Sequence, residues 1–204
     1  NEYSGGVVFR HTDVALPGNH ALPVAVGRHR ALGSPQTFGG GLFGDWDLDI
    51  PRLHTVATGD EPSWYGGRTP ANYNRCSQFQ EPPFTYTRVA GGWLSYSSNA
   101  FWDGYHLYVP GSGDQTLLRR SPNNPIHPSD GTAATYPVVT KNHWQLSCLP
   151  SLEHGPGEGF LARSPDGTTY RFDHIAVRAW PLAKVAGINL GISGNGVIYR
   201  TQAW

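Results

Sequence analysis

The sequence predicts an all-β protein built from antiparallel strands and hairpins with long Gly/Pro-rich loops, and three observations carry that prediction. The 204 residues include 26 Gly and 17 Pro, so roughly one residue in five breaks helices. No ten-residue window free of both keeps a helical apolar period. Short runs instead alternate apolar and polar residues between turn-forming clusters, the pattern of half-buried strands.

Residues 1–57 read as opening strands. In "GGVVFRHTDVALPGNHALPVAVGRHRAL" two strands flank the turn "PGNH", and Leu22, Val24 and Val26 alternate cleanly in the second. After the Gly-rich break "FGGGLFG", the segment "DWDLDIPRLH" points Trp46, Leu48 and Ile50 one way and Asp45, Asp47 and Asp49 the other. Residues 58–101 are the least regular part, and "GDEPSWYGGRTPANYNRCSQFQEPPF" is loop by composition. Residues 102–180 hold hairpins: "YHLYVPGSGDQTLLRR" turns at "GSGD", a loop follows, and "YPVVTKNHWQLSCL" reads as one strand. The tail, residues 181–204, stands apart from the rest. The whole is read as a single module.

One hairpin can be placed residue by residue. In Ser164-Pro165-Asp166-Gly167, Pro fixes φ at the first corner, Asp suits the second, and Gly accepts the left-handed conformation that follows. Such a type I turn with a Gly bulge pairs Ser164 with Thr168. Ala162 then faces Tyr170, and Phe160 faces Phe172, with all four on one face. The alternation slips after Asp173, because Ile175 and Val177 fall on the opposite face. A β-bulge at or next to Asp173-His174 is the expected cause.

Charge and hydropathy narrow the function. Fifteen basic and fifteen acidic residues cancel, so no electrostatic footprint marks a nucleic acid or anionic membrane partner. No apolar run approaches the roughly 20 residues that span a bilayer. With Asn1 in first place and no Met in the chain, a processed or excerpted chain is expected, as for a secreted or extracellular protein. Cys76 and Cys148 permit one disulfide, although Cys148 also suits a buried small hydrophobe.

Three groups of residues bear on chemistry. The carboxylates of "DWDLD" lack the Gly and Glu of an EF-hand loop, since Ile50 and Val56 stand there. They read as the solvent face of a strand, with Arg28 or Arg30 as cross-strand partners. Nine His residues show no zinc-binding spacing. Asp103 with His106, and Asp173 with His174, are candidate acid/base pairs, but no nucleophile motif accompanies either. Trp64, Tyr65, Trp102 and Tyr105 are candidate stacking faces for a glycan or another partner, with Asn99 and Asp103 to bond its hydroxyls. Their competing role is to pin loops onto a sheet. No complete catalytic motif is present, and no cofactor is expected.

Taken in order, several motifs resemble the opening of an Rhs or YD-repeat protein. "TDVALPG", "VGRHRAL" and "FGGGLFGDWDLDIP" match through Leu16, Pro17, Gly18, Arg28, Gly41, Phe43, Gly44, Trp46, Leu48, Ile50 and Pro51. "FWDGYHLYVPGSGDQTLLRR", "YPVVTKNHWQLSCLP" and "GPGEGFLARSPDGTTYRFDHIAVR" are similar to the stretch that follows in the same family. The likeness covers about residues 8–178. YD repeats themselves are not reached, and "KVAGINLGISGNGVIYRTQAW" departs from the family pattern. The resemblance implies a sandwich-like or open curved sheet belonging to a shell that encloses a C-terminal toxin. It further implies a non-catalytic structural role, with the rest of the shell, or a second copy joined through sheet edges, as partner. A secreted carbohydrate-binding module and a secreted hydrolase using an Asp/His pair are the alternatives from other classes.

Overall fold

The computed structural model describes residues 7–16, 24–31, 46–58, 64, 73–81, 85–89, 92–97, 102–121, 134–180 and 198–203. These residues contain no helix, and every strand pair among them is antiparallel. The chain is all-β. It divides into two compact units, one of residues 1–51 with 109–113 and one of residues 52–108 with 114–204.

The first unit carries a three-stranded sheet of β1 (Val8–Leu16), β2 (Val24–Ala31) and β3 (Asp47–Leu48), in that order. The register between β1 and β2 shifts between Thr12 and Val14, so Asp13 is an extra residue in β1. This bulge brings Phe9, His11, Val14 and Leu16 opposite Arg30, Arg28, Val26 and Val24, and therefore onto one face. Val8, Arg10, Thr12 and Ala15 take the other face, beside His29 and Gly27. On that side Asp49 receives His29 Nδ1 at 3.5 Å and Arg10 Nε at 3.3 Å. Arg28 instead binds Asp13, at 2.8 Å from Nη2, and lies 5.7 Å from the Trp46 ring. Asp49 thus meets Arg10 and His29, while Arg28, one of the two expected cross-strand partners, binds Asp13. The turn "PGNH" and Asp45 lie outside the described residues.

The second unit is dominated by a nine-stranded sheet ordered β12-β11-β10-β9-β8-β7-β4-β14-β13. Its strands are β4 (Arg52–Thr58), β7 (His106–Val109), β8 (Gly113–Arg119), β9 (Val138–Thr140), β10 (Gln145–Leu149), β11 (Gly159–Arg163), β12 (Thr169–Phe172), β13 (Ile175–Trp180) and β14 (Ile198–Ala203). The two end strands, β12 and β13, are consecutive in the chain and separated only by Asp173 and His174. A sheet whose ends are tied this closely is nearly closed and barrel-like. Leu53, Leu107, Leu146, Val138, Phe160 and Ala162 are fully buried, with Leu117 and Phe172 almost so.

The SPDG hairpin has the expected register. Phe160 pairs with Phe172, Leu161 with Arg171, Ala162 with Tyr170 and Arg163 with Thr169. Ser164 donates its amide to Thr168 O, and Gly167 takes φ +91°. Asp166 Oδ1 accepts the Thr168 amide at 3.0 Å, which fixes the turn. The expected bulge at Asp173-His174 is corrected. There the strand stops: β12 ends on β11, and β13 pairs with β14 at the other end of the sheet. Two different partners, rather than one bulged ladder, account for the slip in alternation. Phe172 is buried, and Ile175 is half-buried.

One further expectation changes. "YPVVTKNHWQLSCL" is a hairpin, not one strand. Thr140 O accepts the His143 amide, His143 takes φ +65°, and β9 folds back on β10 through Val139 and Gln145. Within residues 58–101, β5 (Thr85–Val89) and β6 (Gly92–Tyr96) form a two-stranded hairpin. The tail supplies β14, which lies between β4 and β13.

Candidate functional site

A cluster of two histidines and two aspartates forms where β4 meets β7. The pairing sets Leu53 against Leu107, His54 against His106 and Arg52 against Tyr108. Strand alternation sends the two leucines into the core, so the histidines, Arg52 and Tyr108 share the opposite face. The imidazoles stack with centroids 5.2 Å apart and planes 16° from parallel. Arg52 sits 4.2 Å above the Tyr108 ring.

Asp114, from β8, reaches both rings. Its Oδ1 is 2.8 Å from His54 Nε2 and its Oδ2 is 3.7 Å from His106 Nδ1. Asp103 Oδ1 is 3.5 Å from His106 Nε2. The adjacent His106 ring lowers the Asp103 pKa below its ordinary value, against a smaller opposing effect of desolvation. His106 is thus flanked by a carboxylate on each ring nitrogen. His54 is buried, whereas the Asp103 side chain is 74% exposed, so the cluster runs from interior to solvent. Such a chain can accept, hold and pass a proton. The nearby Thr55 hydroxyl donates to Gly104 O and accepts the Trp102 indole N–H, both at 2.9 Å, which commits it to structure rather than to nucleophilic attack.

The second candidate pair is not a pair. The Asp173 carboxylate binds Arg171 Nε, and its carbonyl accepts the Glu153 amide at 2.8 Å. His174 packs edge-on against His154, at 5.2 Å between centroids. The aromatic candidates also separate. Trp64 and Tyr105 are each 2% exposed and stack on one another at 5.0 Å, with Phe160 and Phe79 against them. Neither offers a free face to a sugar ring, because both faces are taken up by the core. Burial pushes the Tyr105 phenol pKa up, and its hydroxyl donates to Gln80 O at 2.5 Å. Trp102 is half-buried, its edge against Tyr105. Tyr65 and Asn99 lie outside the described residues.

Cys76 and Cys148 form a disulfide with Cα atoms 5.4 Å apart. It ties the turn at residues 75–78 to β10, beside a polar clamp that sequence reasoning missed. Glu158 Oε2 accepts the amides of Cys76 and Ser77 at 3.1 and 2.9 Å, and Oε1 accepts the Ser77 hydroxyl at 2.7 Å. Next to it Arg75 Nη1 donates to Pro156 O and Glu158 O at 2.7 and 3.2 Å. Burial pushes the Arg75 pKa down to about 10, which leaves it charged at neutral pH. Gly157 takes φ +89°, and a Cβ there would meet Tyr73 Cβ at 2.2 Å. The loops at residues 73–78 and 156–158 therefore touch as closely as backbone allows. Replacing Glu158 by Ala strands two amides and a hydroxyl, with an expected loss of about 2 kcal/mol. Urea titration of the variant checks this, and no shift in midpoint would refute it.

Among the described residues, no three or more His, Cys, Asp or Glu side chains are arranged to hold a metal ion. Among the same residues, no helix is long and apolar enough to cross a membrane. In comparisons with known proteins the chain matches no family model, no curated protein and no solved structure.

Proposed function

We propose that the chain is a non-catalytic structural β module, from the start of an Rhs/YD-repeat shell that encloses a C-terminal toxin. One observation carries this reading: the motifs of the resemblance fall, in order, on strands and their turns. "TDVAL" lies in β1, "VGRHRA" in β2, "DL" in β3, "HLYV" and "GDQTLLR" in β7 and β8, and "GFLAR" and "TYRF" in β11 and β12. A shell segment needs such consecutive antiparallel ribbon. The Cys76–Cys148 disulfide supports secretion, because oxidising compartments are where disulfides persist. The reading frame that encodes the chain tests the proposal. A frame of a thousand or more codons, continuing into YD repeats, is expected, and one of about two hundred would overturn it.

The pairing of Asp103 with His106 favours one second reading, a hydrolase in which His106 acts as general base. Asp103 is exposed, and Asp114 supports the ring from its other nitrogen. On this reading Asp103→Asn leaves the fold intact and removes the carboxylate that holds the His106 ring as a base, so the hydrolytic rate falls. Hydrolysis of ester or glycoside substrates unchanged by Asp103→Asn would dismiss it. The same variant reports on pH. The folded-state Asp103 pKa is depressed, so its contribution to stability is present above the unfolded-state value and fades as pH falls through the folded one. Asp103→Asn should therefore narrow the stability gap between neutral and strongly acidic pH.

A further inference from the structure

Two exposed histidines sit side by side where the two ends of the large sheet are tied together. His154, in the loop between β10 and β11, forms a parallel backbone bridge with His174, in the link between β12 and β13. Residues bridged in this way project to the same side of the chain. Their ring centroids are 5.2 Å apart, with the planes 85° to one another. Among the described residues each ring's partner is the other ring, and no carboxylate or carbonyl takes up a ring nitrogen. The backbone beneath them is pinned. Glu153 donates its amide to Asp173 O at 2.8 Å, and Leu152 donates to Gly157 O at 2.9 Å. Leu152 and Phe172 are buried, and a Cβ on Gly155 would lie 3.4 Å from Ile175 Cγ2.

We infer that His154 and His174 together bind a divalent late transition metal, of the class of Cu²⁺, Ni²⁺ and Zn²⁺. The spacing of the rings carries this. A metal–nitrogen bond of about 2.0–2.1 Å places the ion about 3.2 Å from an imidazole centroid, so two rings at a tetrahedral angle have centroids about 5.2 Å apart. That is the separation found. Two rings on one ion need share no plane, so their tilt is no obstacle. Both side chains are exposed, and a turn about their own bonds aims both nitrogens at one point. Imidazole selects this class over Ca²⁺ and Mg²⁺, which take oxygen ligands. Water fills the remaining positions, since among the described residues no third His, Cys, Asp or Glu is arranged to join the pair. Two protein ligands suffice because the fold already holds their backbones together, so binding has no loop to close. The ion ties the β10–β11 loop to the link that closes the sheet, and it stabilises the folded chain alone.

The inference rests on neither the shell nor the hydrolase reading. The experiment is calorimetric titration of the untagged chain with nickel or zinc chloride, with circular dichroism to confirm folding of each variant. The tightest site is expected to hold one ion per chain, and the unfolding midpoint should rise in its presence. His154→Ala and His174→Ala, each alone, should weaken that binding by about tenfold or more, since losing a ligand costs at least as much as losing the group that orients one. Each should also abolish the rise in midpoint. His143→Asn, at an exposed histidine elsewhere, should leave both readouts unchanged. With Cu²⁺, electron paramagnetic resonance should show splitting from two nitrogens in the wild type and from one in either variant. A wild type that binds no ion overturns the inference. Binding that persists in both variants also overturns it, and its loss in His106→Ala instead would place the ion at the β4–β7 cluster.

Discussion

Replacing both Cys76 and Cys148 by Ala is expected to lower the unfolding free energy by about 4 kcal/mol. The crosslink joins residues 72 apart, and closing a loop of that length in the unfolded chain removes conformational freedom of about that magnitude. A domain's whole margin is about 5–15 kcal/mol, so the loss is large. The native side should change less. Glu158 still holds the Cys76 and Ser77 amides, and Arg75 still reaches Pro156. The folded variant should therefore keep its turn at residues 75–78 while unfolding at much lower denaturant. Urea unfolding followed by tryptophan fluorescence, with and without reductant for the wild type, gives the number. A difference below about 1 kcal/mol would show that the crosslink does not restrict the unfolded chain as argued.

Phe160→Ala should cost about 3–5 kcal/mol. Phe160 is fully buried, pairs across β11 with Cys148 on one side and Phe172 on the other, and packs on the Trp64 ring at 5.7 Å. It thus touches both the sheet and Trp64, in the loop between β4 and the turn at residues 75–78. Truncation leaves a cavity that neighbouring strands cannot collapse to fill, because their spacing is set by backbone hydrogen bonds. Leu118→Ala is the control: Leu118 is 39% exposed, so its loss should stay below about 1 kcal/mol. Equal losses at the two positions would contradict the assignment of the core.

What the sequence disclosed follows from how local the cause was. The β11–β12 hairpin could be placed to the residue because Pro165, Asp166 and Gly167 dictate a turn, and a turn dictates register. The β9–β10 hairpin was hidden because its turn uses Lys141, Asn142 and His143, with neither Gly nor Pro to mark it. Phe9 and Leu16 sit out of step in the sequence, and only the extra residue at Asp13 puts them on one face. The His54–Asp114 contact and the Glu158 clamp span 60 and about 80 residues. Spacing cannot announce such contacts, and of the histidine–aspartate cluster the sequence named only Asp103 and His106. Trp64 and Tyr105 were ambiguous for a related reason, since a loop aromatic looks the same whether it faces a ligand or its own core.

The placement of β14 also sets the order of events during synthesis. Its partners are β4, 140–150 residues earlier, and β13, from which it pairs back antiparallel. Until residues 198–203 leave the ribosome, β4 and β13 have no strand between them, and the sheet cannot come round on itself. Contacts this distant in sequence close slowly, and a nascent chain would wait with two open edges exposed to neighbours. Ribosome stalling with β13 outside the exit tunnel and residues 198–203 still inside should therefore trap a protease-sensitive intermediate, and emergence of those residues should convert it to a resistant one.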